Sequence, residues 1–232
     1  MKPTPLLSAI AITSVLILAA SGCATDQNGE HFSTKYRTTD DRVAEIGRRT
    51  PAEGGWTFRD PHMDKCWIAD NFNFTSYDTL YIAPTLSEAA TQDDEDRRMI
   101  EIAKDTVVVE YKRLFESRNI FTKVVTRESD IPSGAHVLKL EQTITDFHKG
   151  SMGARFWAGE FGAGQPVLAV SGKMTDGDKP VFTYQARRSG VSFGAHMGVM
   201  RSDDIQIEDV RSMALDVTDF VAAMAGIYKP MN

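Results

Sequence analysis

The sequence predicts an α+β domain: a mixed sheet of about five strands with two helices packed on one face, ordered β-α-β-β-β-β-α along the chain. Three observations carry that expectation. Two long stretches keep apolar residues at spacings of three and four, as a helix with one buried face requires. Val137 to Phe147 instead alternates, with Leu138, Leu140 and Ile144 on one side and Lys139, Glu141, Thr143 and Thr145 on the other. Thr175-Asp176-Gly177-Asp178-Lys179-Pro180 then separates two further apolar runs and reads as a hairpin turn, Asp-Gly supplying the backbone conformation such turns need.

In chain order, Thr79 to Ala83 is the first strand of the domain, ended by Pro84. Thr91 and the acids Asp93 to Asp96 mark a helix start, with Thr91 as the hydroxyl cap and the acids set against the positive end of the helix dipole. Ile100, Ala103, Val107, Tyr111 and Leu114 form its stripe, and the helix runs over about 94–118. Phe121 to Thr126 follows as a strand, then Val137–Phe147, Val167–Met174 and Val181–Arg187 as a meander. Ser202-Asp203-Asp204 opens the second helix, whose stripe is Ile207, Val210, Ala214, Val217, Val221 and Met224, ending near Gly226.

The chain outside this domain divides in two. Residues 1–22 carry one charge, Lys2, before an apolar run from Leu6 to Ala20 and small residues, the build of a secretory signal. Residues 23–68 are polar and mixed in charge, broken by Asn28-Gly29 and Glu53-Gly54-Gly55, and read as a flexible tether, with order beginning near Cys66 and the domain at 69–232. As a coil, roughly 45 residues reach on the order of 35–40 Å.

Composition bounds the function. A 42% hydrophobic fraction excludes a chain disordered throughout, and 25% charged residues exclude a multi-span membrane protein. The net charge of −6 argues against nucleic acid as a partner. It also conceals a contrast: Lys149 to Arg201 carries seven basic and three acidic residues, net +4, which leaves −11 for the rest of the mature chain. That basic segment contains two stretches rich in Gly, aromatics and Met, residues 148–165 and 189–202. In a meander the loop after Phe147 and the loop after Arg188 leave the sheet at the same edge. Arg155, Phe156, Trp157, Phe193, Met197 and Arg201 are therefore the expected contact surface for an envelope protein, another copy of the chain, or lipid headgroups. The opposing reading makes the glycines bulges and turns and buries Phe156 and Trp157 in the core.

Motifs of chemistry are sparse. G-x-S-x-G, H-E-x-x-H and C-x-x-C do not occur, and the histidines at 31, 62, 136, 148 and 196 lack ligand spacing, so no catalytic, cofactor or metal residue is assigned. His62 stands four residues before Cys66, and Lys65 adjoins it, which leaves a Cys66-dependent enzyme as an alternative; Cys66 as a small buried hydrophobe is the plainer one. A small-ligand carrier with its pocket between helices and sheet is the other alternative.

Two resemblances add to this. Ala20-Ser21-Gly22-Cys23 resembles the lipobox of bacterial lipoproteins, with Ala20 where Leu is more usual. It implies cleavage before Cys23 and acylation of that residue, and Ala24 implies sorting to the outer membrane, inner leaflet, facing the periplasm. Several acyl chains at about 0.8 kcal/mol per buried CH₂ make a firm anchor. The run Asp146-Phe147-His148-Lys149-Gly150-Ser151, then Ala154-Arg155, Gly162-Ala163-Gly164, an apolar strand and an Asp-Gly turn, resembles the domain-of-unknown-function family 4410 over roughly residues 75–226. That family comprises small bacterial envelope lipoproteins and has no established activity to transfer. The strand–helix–strand opening is similar to periplasmic domains of lipoproteins such as the curli secretion channel subunit. The expected protein is thus a lipid-anchored, non-enzymatic binding or assembly module.

Overall fold

The computed structural model describes residues 49–60, 62–91, 93–151, 164, 166–189 and 202–226. Cys23 and all six expected contact residues, Arg155, Phe156, Trp157, Phe193, Met197 and Arg201, lie outside the described residues. The elements are β1 (Arg49–Ala52), β2 (Gly55–Asp60), β3 (Met63–Ala69), β4 (Thr79–Ile82), β5 (Leu86–Ser87), α1 (Asp94–Arg118), β6 (Lys123–Val125), β7 (Val137–His148), β8 (Val167–Asp176), β9 (Lys179–Ser189) and α2 (Ser202–Met224). They form one mixed sheet in the order β1-β2-β3-β9-β8-β7-β4-β6, with β5 paired to β7. β4 runs parallel to β6 and β7, while the pairs from β1 through β7 are antiparallel.

The expected strands and both helices are present, but the sheet has nine strands rather than about five. Four strands are additional: the two-residue β5, and β1, β2 and β3 at residues 49–69, which the sequence reads as the end of a tether. The Glu53-Gly54-Gly55 stretch that looks like a breaker is instead a hairpin turn, Gly54 having φ +66°. A Cβ at Gly55 would stand 2.1 Å from the Ile68 carbonyl oxygen, so only glycine lets β2 and β3 approach there. Phe58, Met63, Cys66 and Ile68 are buried in the main core, which is why this segment folds onto the sheet instead of staying in solvent.

α1 spans the expected residues, but its cap is Asp93, not Thr91: the Asp93 carboxylate accepts from the Asp96 N–H at 2.9 Å. Asn119, in the left-handed conformation, ends it. The predicted stripe from Ile100 to Leu114 is buried throughout. α2 lies beside α1 on the same sheet face, α1 over β4–β7 and α2 over β8 and β9. Phe220 of α2 meets Phe58 of β2 edge-on at 5.6 Å and Phe182 of β9 stacked at 5.7 Å, tying the N-terminal strands to the helix layer. Between the helices, Arg118 pairs with Asp219, and Arg211 reaches Glu110 at 3.3 Å.

Candidate functional site

Register fixes the geometry at one end of the sheet. His148 of β7 pairs with Val167 of β8, and Val167 pairs with Ser189 of β9, so these three residues stand in one row. The chain after β7, the chain before β8 and the chain after β9 therefore leave the sheet side by side. The strand ends that lead into the two Gly-rich segments thus share one edge of the sheet; the segments themselves lie outside the described residues.

The base under this edge is polar and buried. Arg188 of β9 is 1% exposed, and its guanidinium donates to Asp216 of α2 at 2.6 Å, to the His62 carbonyl at 2.8 Å and to the Arg187 carbonyl at 2.8 Å. His62 lies in the β2–β3 turn, where its N–H donates to Asp60 Oδ1 at 2.8 Å. Arg188 thus joins the last strand, the N-terminal hairpin and α2 in one cluster. Asp209, seven residues before Asp216 on the same helix face, is 2% exposed, and burial pushes its carboxyl up to about 7, with Glu208 adding to the rise and Arg188 opposing it. At the same edge Lys149 donates to Asp93 and Glu95 at the start of α1, clasping the exit of β7 to the helix. The Lys149 hydrogen bond, foremost, holds the Asp93 carboxyl below its usual range.

The second feature lies on the opposite sheet face, away from the helices. Thr50, Thr57, Trp67, Thr183, Lys173 and Glu141 are successive register partners from β1 through β2, β3, β9 and β8 to β7, so one row of side chains crosses six strands. Beside it run Lys65, Gln185, Ser171 and Thr143 on four strands. Together they line a trough of about 1040 Å³. Glu141 is held between two lysines, Lys139 at 2.9 Å and Lys173 at 3.1 Å, and the Lys139 hydrogen bond leads in keeping its carboxyl low. Thr50 and Thr57 share a hydroxyl–hydroxyl bond of 2.7 Å.

No protein-family model matches the chain, and no curated protein matches it. Among solved structures, it is similar to the PelC dodecamer from Paraburkholderia phytofirmans, with TM-score 0.42 and 11% identity over 65% of this chain and 96% of that one. A PelC point variant from the same organism gives TM-score 0.42 and 11% identity, covering 66% and 97%. A neuraminyllactose-binding hemagglutinin homologue from Helicobacter pylori gives 0.33 and 6%, covering 62% and 82%.

The trough lies on the face away from the helices, not between helices and sheet where the carrier reading expects its pocket. The helix side is filled by side chains such as Val107, Leu114, Val170, Met174 and Phe182, each 1% exposed or less. Cys66 is 2% exposed, on the core side of β3 in register with Phe58 and Tyr184. Its burial on the core side is the environment of a packed small side chain more than of an exposed nucleophile. Sequence reasoning missed Arg188, although alternation along β9 already placed it on the face of Phe182 and Tyr184. It missed the trough because Trp67 and Lys65 sit in a stretch read as tether.

Proposed function

We propose that this chain is a lipid-anchored cell-envelope protein, held in the outer membrane through acyl groups on Cys23, whose folded domain is a non-enzymatic binding or assembly module. Its contact surface is the loop end of the sheet, where Arg155, Phe156, Trp157, Phe193, Met197 and Arg201 meet a partner protein or a second copy. The observation that carries the reading is the row His148–Val167–Ser189: it gives both basic, aromatic segments a common point of departure. The Arg188 cluster and the Lys149 clasp beneath that row supply a stiff platform, and a rigid support lowers the ordering cost of binding. The −11 body behind a +4 segment would orient approach to an anionic partner.

Crosslinking followed by affinity capture from envelopes tests it. Trp157→Ala with Arg155→Ala should abolish capture of the partner, or of a second tagged copy, while the melting temperature stays within about 2 °C of wild type, as for surface substitutions in general. Retained capture, or a collapse of stability that places these residues in the core, would overturn the reading.

A further inference from the structure

We propose that the trough on the outer sheet face is a binding site for an uncharged oligosaccharide. Three observations converge on that chemistry. First, the two residue rows that cross its floor hold one aromatic ring, Trp67, and no aliphatic side chain; the remainder are hydroxyls, an amide, lysines and a carboxylate. Phe58, Cys66 and Tyr184 add apolar surface beneath these rows, and a sugar offers a C–H face to stack on the indole and hydroxyls for the polar groups around it.

Second, the floor is flat and doubly functional. Thr183, Ser171 and Gln185 both donate and accept, at strand spacings of about 4.8 Å. A polyhydroxylated chain needs that mixture along its length, while a ligand of one charge sign needs donors or acceptors alone. Third, the charge along the trough is of both signs: Glu141 lies between Lys139 and Lys173 at the β7 end, and Asp64 lines it together with Lys65 and Arg49. A polyanion would meet the two carboxylates and compete with Glu141 for its lysines. The volume, about 1040 Å³, is at the upper end for small-ligand pockets and suits a chain of several sugar units more than a single one.

The test uses the full chain, purified in a detergent without a sugar headgroup, and isothermal titration with cellohexaose, chitohexaose and maltohexaose. At least one should bind saturably. Trp67→Ala should weaken it about tenfold or more, Trp67→Phe should restore part of the loss, and Gln185→Ala, at an exposed position, should weaken it severalfold with an unchanged melting curve. No saturable heat with any of the three at millimolar sugar, or equal affinity in the Trp67→Ala and Gln185→Ala variants, would overturn the inference. So would binding confined to heparin and lost with added salt, which would make the trough an anion site. The Trp157→Ala, Arg155→Ala variant should bind the sugar like wild type, so the fate of the loop-end reading is decided separately.

Discussion

Asp209 sits in the helix layer close enough to feel Arg188, and burial still raises its carboxyl to about 7. A carboxyl whose pKa is raised on folding contributes its stability below its ordinary value near 3.9, and that contribution is lost as pH rises through about 7. Asp209→Asn should therefore match wild type near pH 3.5 and melt higher above pH 7, by an amount whose ceiling is about 4 kcal/mol and whose expected size is about 1–3. Circular-dichroism melts across that range check it; a gap that stays constant with pH would show that folding leaves the Asp209 pKa unchanged. Gly172 is constrained by space. A Cβ there would lie 2.2 Å from the Tyr184 ring, whose hydroxyl is bonded to Tyr111 at 2.8 Å and which cannot swing aside without breaking that buried bond. Gly172→Ala should cost about 1–3 kcal/mol, or roughly 3–10 °C in melting temperature.

Among the elements, the N-terminal hairpin and β3 separate two views of residues 49–69. If they were a spacer, Phe58→Ala would leave the melting curve unchanged. As part of the core, with Phe58 packed on Phe220, the same substitution should cost about 3–5 kcal/mol, read in a urea or thermal titration. The helices were legible in the sequence because each runs for six turns or more, with a stripe of four to five turns, long enough for periodicity to outweigh local noise. The central meander was legible because its alternation is clean. The three early strands were not. Arg49 to Ala52 is exposed or half-buried, and β2 and β3 mix Thr, Asp and Lys into the outer face, so neither composition nor period separates them from polar linker. Their place is set by pairing with β9, far along the chain, which no local window contains.

For the whole molecule, the two sheet faces divide the work. One carries the helices and the apolar core; the other presents hydroxyls, an amide, an indole and charged groups along ten residue positions in two rows. The strand ends that lead into the two loops sit on a base tied together by Arg188. The shared departure of the two loops was readable from the order of the elements alone, since any antiparallel meander imposes it. The trough was not, because it exists only once six strands align in register, and half of those strands come from the segment that reads as tether.

One pairing also constrains the order in which the molecule can assemble. β3 reaches the sheet only through β9, so a chain that emerges from its amino end must hold β1, β2 and β3 without a docking edge until residues 179–189 have followed. Closure between segments more than 100 residues apart is a slow, late event in folding. Cys66, in register with Tyr184 on that seam, records the moment of closure. In a pulse of thiol reagent during refolding, Cys66 should stay reactive after helical signal has returned and become protected only with the last kinetic phase. Protection concurrent with helix formation would mean that the hairpin docks early. The Cys66 thiol then serves as a clock for the joining of β3 to β9.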